Sequence, residues 1–220
     1  MVTFAVHAYE GVNSTGGFGP LQAEFERRGF PCRIFHSTRQ RVYRSTPGQQ
    51  TRMTEQGPVP YTINATKTPN QDRAKFMVEA LRDVEGEVAL IGISNQGLFM
   101  PLVAAARPIR RIVMINAVIP HPGQSFLEGS RGEKVWANFV TRFLARQAIG
   151  MNEVCPLTEL PKVEYVYICG EKDDAIRPQW EQWAAREYLH VEPVVIKGAG
   201  HATIILDQVG EVVDAALKGL

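Results

Sequence analysis

Six short apolar runs rich in β-branched residues recur along the chain, at residues 2–8, 32–36, 88–91, 111–116, 163–169 and 193–197. Each is too short for an ordinary helix, and its apolar residues fall on both parities, as in strands buried on both faces. Between the runs, apolar positions recur at three- and four-residue spacing: Leu21 and Phe25 ahead of Gly29; Ala74, Met77, Val78 and Leu81; Leu98, Leu102 and Ala105; Trp180, Trp183 and Ala184; and Ile205, Val209, Val212, Val213 and Ala216. That period is the mark of a helix laying one face on a core. Strands and helices in alternation predict an α/β fold: a mostly parallel six-stranded sheet with helices on both faces.

Two segments break the alternation. Residues 37–69 are polar and proline-rich, and carry Arg39, Arg41, Arg44, Arg52 and Lys67 against the single acid Glu55. A loop of that length inside a compact domain is usually functional or disordered. Residues 121–161, between the fourth and fifth runs, place Trp136, Phe139, Val140, Phe143 and Leu144 at helical spacing. They predict an amphipathic helix outside the alternation, a small helical cap within one domain spanning residues 1–220. Aromatic residues at such spacing usually mean core packing, but for Trp136, Phe139 and Phe143 their place in the insertion makes a pocket wall an equally good assignment.

Composition narrows the class. A chain of 220 residues buries roughly 70% of its unfolded surface, enough for one full core. With 24 Lys and Arg against 23 Asp and Glu, no global field draws in nucleic acid or an anionic membrane. The expected partner is a small molecule. The opening M-V-T-F-A-V-H-A-Y-E-G has no basic leader region, and no span approaches the ~20 apolar residues that cross a bilayer, so a cytoplasmic location is expected. Cys32, Cys155 and Cys169 show no C-x-x-C spacing and are expected to be buried thiols rather than zinc ligands or a disulfide framework. His36, His121 and His190 stand singly, so no metal site is expected. His7 is expected to cap the first strand near the site. The glycines at 16, 17 and 19 do not have the G-x-G-x-x-G intervals of a dinucleotide loop.

The candidate chemistry starts at Ser94. It lies in Gly92-Ile93-Ser94-Asn95-Gln96-Gly97, between the third run and the following helix. A strand–turn–helix puts its central side chain at the carboxyl end of a parallel sheet, where open α/β folds bind ligands. It also aims the Asn95 amide and the helix N-terminus at whatever the serine attacks. On this stretch alone a nucleophile and a helix cap explain Ser94 equally well. A serine nucleophile needs a base, and the base needs a group that holds its tautomer. The fifth run ends in G-E-K-D-D-A-I-R-P and the sixth in G-A-G-H-A-T, which supplies an acid and then a histidine, in the chain order Ser…Asp…His of the α/β-hydrolases.

The stretches V-A-L-I-G-I-S-N-Q-G, P-L-V-A-A-A-R-P-I-R-R-I-V-M-I-N-A-V-I-P-H-P-G, G-E-K-D-D-A-I-R-P-Q-W and V-E-P-V-V-I-K-G-A-G-H resemble a small single-domain α/β-hydrolase of the esterase, methylesterase and hydroxynitrile lyase-like family. The resemblance covers most of the chain but not residues 39–69. It implies a carboxylic-ester hydrolase that needs no cofactor, with Ser94 as nucleophile, His201 as base and Asp173 as acid, Asp174 standing next in line. It implies oxyanion donors at the amides of Asn95 and Tyr9, because His7-Ala8-Tyr9 stands where the family has His-Gly-x. It also implies that the chain opens at the family's third strand. Gln96 replaces the second glycine of the G-x-S-x-G turn, and would either crowd the turn or offer an amide to substrate. A lyase, cyclase or acyltransferase using the same site is the alternative within enzymes. Ala202 stands where the hydroxynitrile lyases carry lysine, which counts against cyanide chemistry. A ligand-binding protein on a hydrolase scaffold is the alternative outside them. The apolar cap face leaves a homodimer open.

Overall fold

The computed structural model describes residues 1–8, 17–36, 51–54, 57–60 and 68–220. Each of the six predicted runs is a strand: β1 Val2–Ala8, β2 Cys32–His36, β5 Glu87–Ile93, β6 Arg111–Ile115, β7 Glu164–Gly170 and β8 Val194–Ile196. They form one sheet in the order β2-β1-β5-β6-β7-β8, every pair parallel. The order steps outward in both directions from the β1/β5 pair, so the chain reverses its winding there and ends of strands are left open at the carboxyl edge. A second, two-stranded antiparallel sheet joins β3, Thr51–Thr54, to β4, Gly57–Pro60. It lies in the segment expected to be a loop. Its proline content hid it, although prolines are tolerated where a strand has a free edge.

The sheet is buried on both faces, and the alternation of its side chains sorts them between two cores. Val2, Phe4, Val6, Ala89, Ile91, Val113 and Ile115 pack with Leu21, Phe25, Val212 and Val213, which belong to α1, Gly19–Arg27, and α8, Val209–Leu217. Ala5, Leu90, Ile112 and Met114 point the other way, into a core with Met77, Val103 and Ala184. Those three come from α2, Asn70–Ala80; α3, Met100–Ala106; and α7, Pro178–Leu189. Both parities are therefore apolar. Burying a Leu, Ile, Val or Phe side chain in either layer contributes about 1.5–3 kcal/mol.

Between β6 and β7 the chain carries α4, Phe126–Gly129; α5, Phe139–Gln147; and α6, Ile149–Asn152. Ser125 and Glu128 close a reciprocal cap at the start of α4, and the Asn138 side chain accepts from Thr141 N at 2.9 Å at the start of α5. The segment begins and ends in one place: Pro122 bridges Cys155, and Cys155 N donates to Gln124 O at 2.9 Å. The Glu153 carboxylate accepts from the backbone of Asn70 and Gln71. A negative charge is favoured there, because it meets the unpaired N–H groups that open α2. No helix among the described residues is long and apolar enough to cross a membrane. Cys32, Cys155 and Cys169 are buried and free, and burial pushes the Cys32 and Cys169 thiols up to about 12.

Candidate active site

The strand β5 does not run straight into a helix. Ser94 takes φ 59°, opens a 3₁₀ turn over Ser94–Leu98, and α3 begins only at Met100 with Pro101 in its first turn. A non-glycine residue at positive φ is strained, and a helix-capping serine would have extended dihedrals. Ser94 is therefore not a helix cap. Ser94 sits half-buried at the sheet's carboxyl edge, at the end of β5. Gly97 lets the turn close: a Cβ there would lie 2.0 Å from the Val118 carbonyl oxygen. Val118 N returns a hydrogen bond to Ser94 O at 3.1 Å.

Gln96 is fully buried, and both ends of its carboxamide are bonded to main chain. Its Oε1 accepts from Ile93 N at 2.8 Å, and its Nε2 donates to His7 O at 2.6 Å. The amide that the sequence offered to substrate thus ties the Ser94 turn to the end of β1. His7 is not a cap but lies inside β1, its ring edge-on to Phe99 at 5.2 Å.

Asp173 and His201 follow the last two strands, β7 and β8. The loop after β7 buries Asp173, 5% exposed, and leaves Asp174 in solvent. Asp173 Oδ1 accepts from Ala175 N at 2.7 Å and Ile176 N at 2.8 Å, and Oδ2 lies 2.7 Å from His201 Nδ1. Main-chain donors fix the carboxylate's direction, and the carboxylate fixes the ring. His201 follows β8 in a loop laced to the Asp173 turn: Lys172 N donates to Ala199 O at 2.9 Å, and Gly198 N to Glu171 Oε2 at 3.0 Å. Any Cβ at Gly170 would stand 2.4 Å from Ala199 O, so this approach needs glycine. With Nδ1 committed to Asp173, Nε2 is the ring atom left for proton transfer. Asp173 and His201 meet directly, whereas Ser94 joins them through Asn116 rather than by its own hydrogen bond.

Asn116 and Glu181 went unnoticed in the sequence. Asn116 directly follows β6, is fully buried and takes φ 43°; the available signal was a lone amide inside an apolar run at a strand's carboxyl end. Glu181, on α7, is also fully buried. Burial holds its carboxyl well above the usual range, and the charge of Asp173 adds to this. Its Oε1 lies 3.4 Å from the Tyr167 hydroxyl, which donates to Ala117 O.

The other residues singled out in the sequence lie around this edge or outside the described residues. Residues 135–138 are bound to the acid turn: Arg177 N donates to Val135 O at 2.8 Å, Ala137 N to Ala175 O at 3.0 Å, and Asn138 Nδ2 to Asp174 O at 2.6 Å. Trp136 is half-buried against Phe126, while Phe139 and Phe143, on the α5 that follows, are 80% and 53% exposed. Asn95 is the second residue of the 3₁₀ turn. Tyr9 and the arginines at 39, 41 and 44 lie outside the described residues, as does the side chain of Arg52.

The model of the alpha/beta hydrolase family matches residues 46–215. No curated protein sequence matches the chain. Among solved structures, polyneuridine aldehyde esterase is similar at 14% identity and TM-score 0.62, over 98% of this chain and 100% of that one. An extracellular alpha/beta-hydrolase from a Paenibacillus species, described as sharing structural and functional homology with tobacco salicylic acid binding protein 2, is similar at 17% identity and TM-score 0.59, over 99% and 98%. A pyrethroid hydrolase from Sphingobium faniae JZ-2 is similar at 15% identity and TM-score 0.54, over 99% of each chain. At these identities the likeness is one of fold.

Proposed function

Because the chain belongs to the alpha/beta hydrolase family, we propose that it is a serine hydrolase of small carboxylic esters that works through an acyl-enzyme. The observation that carries this is the 2.7 Å contact of His201 Nδ1 with a buried Asp173 whose other oxygen holds two backbone amides, at the same sheet edge as a serine in a strained turn. An imidazole held this way is oriented through one nitrogen and free to act as base through the other. His201 Nε2 takes the Ser94 proton as Oγ attacks the ester carbonyl, and the oxyanion is received by the amides of Asn95 and Tyr9. The same nitrogen then returns the proton to the departing alcohol. Water, deprotonated by His201, attacks the acyl-serine and releases the acid and the free Ser94. Asp173 stabilises the imidazolium in both halves.

Specificity would come from the segment bound to the acid turn, the small helical cap. Residues 135–138 are hydrogen-bonded to residues 174–177, which sets α5 beside Asp173. Trp136, Phe139 and Phe143 would there supply apolar area to the acyl or alcohol group. The test is a fluorophosphonate probe with a panel of nitrophenyl esters. Labelling at Ser94 alone, with ester turnover abolished by Ser94→Ala and by His201→Ala, is the expected result. A label mapped elsewhere, or folded protein that takes none, overturns the assignment of the nucleophile.

A further inference from the structure

We infer that Asn116 is a positioning residue that holds the segments of nucleophile, acid and base in mutual register; this rests on the triad proposed above. Its main-chain carbonyl accepts from Ser94 N at 3.1 Å. Its side-chain Oδ1 accepts from Gly170 N at 2.7 Å, at the exit of β7 just ahead of Asp173. Its Nδ2 donates to His201 O at 3.0 Å and to Gly200 O at 3.2 Å. One side chain therefore spans the end of β7 and the loop after β8, while its backbone holds the turn after β5.

The residue type follows from this position. At φ 43° only glycine and, among side chains, chiefly asparagine and aspartate are well tolerated. The partners are one N–H and two carbonyls, so the site needs an acceptor and two donors, which asparagine has and aspartate lacks. Asn116 is fully buried, and a buried polar group that loses its partner finds no cheap replacement. The structure has accepted a strained backbone to place that carboxamide. Its effect on the reaction is geometric, because displacing a reacting group by about 1 Å can cost about 10²-fold in rate.

Asn116→Gly keeps the left-handed backbone and deletes only the carboxamide. The expected result is a folded protein whose kcat on a nitrophenyl ester, and whose rate of fluorophosphonate labelling at Ser94, both fall by about 10–100-fold, with KM within about twofold of wild type. A variant that only loosened the pocket would raise KM instead. If the glycine variant fails to fold, Asn116→Asp is measured in its place; it is close in shape, accepts positive φ and loses a donor, and the same split of kcat from KM is expected. Wild-type protein that is not labelled at Ser94 overturns the proposed function itself. Labelled wild-type protein whose folded variants match it in kcat, or lose activity only through KM, overturns the role of Asn116 and leaves the triad standing.

Discussion

Asp173 and Asp174 are adjacent, but their surroundings separate them completely. Asp173 faces inward with one oxygen on two amides and the other on His201, whereas Asp174 presents its side chain to solvent and only its carbonyl to Asn138. Asp173→Asn should lower kcat by about 10³–10⁴-fold, because a carboxamide neither stabilises an imidazolium nor selects the tautomer. Asp174→Asn should leave kcat within about twofold. Steady-state kinetics of the two purified variants decides this, and similar losses in both would put the acid elsewhere. The sequence pointed to Asp173 through a strand end, two adjacent aspartates and a proline that resemble the family's, and the structure brings that residue, not Asp174, to His201. It did not reveal Asn116, whose meaning lies in three strand ends that are distant along the chain. Gln96 shows the same limit from the other side, since its partner His7 is 89 positions away.

At the scale of elements, the turn after β5 is held by close approach rather than by a helix cap. The absence of a side chain at Gly97 lets Ser94 and Val118 exchange main-chain contact. Gly97→Ala would drive a methyl group into a backbone oxygen, which cannot swing aside as a side chain could. Overpacking of this kind destabilises by about 1–3 kcal/mol, or roughly 2–12 °C in Tm for a domain of this size, and a scan by differential calorimetry should show it. Unchanged Tm would mean that the turn has room the structure does not show. All six sheet strands were legible as short runs apolar on both parities, and the helices α1, α2, α7 and α8 by their three- and four-residue apolar spacing. The hairpin β3–β4 was not, because proline content masked its strands. After Ser94 a turn over residues 92–97 and a helix from Leu98 were expected; the turn is wound as a 3₁₀ helix over Ser94–Leu98, which periodicity does not record, and α3 starts at Met100.

On the scale of the whole molecule, the least expected group is the buried carboxyl of Glu181 beneath the Asp173 turn. The folded protein keeps a proton there that an unfolded glutamate releases above about pH 4.3, because burial holds the native carboxyl well above that range. Folding then binds a proton, and stability is lost as pH rises from the unfolded value toward the native one, by up to about 1.4 kcal/mol per pH unit. Glu181→Gln keeps the shape and removes the titration. Its denaturation midpoint should match wild type near pH 4 and exceed it increasingly as the pH rises above that. A difference that does not grow with pH would show that the native carboxyl is already ionised.

The segment between β6 and β7 leaves the sheet and returns to it through one narrow neck, where Pro122 meets Cys155. A polypeptide excursion whose two ends are joined at its base can lengthen or shorten between its outer contacts without shifting the register of the strands on either side. Exposed positions on α5 such as Phe139 and Phe143 can change while the backbone around residues 94, 116, 173 and 201 stays where it is, whereas residues 135–138 are held by their bonds to residues 174–177.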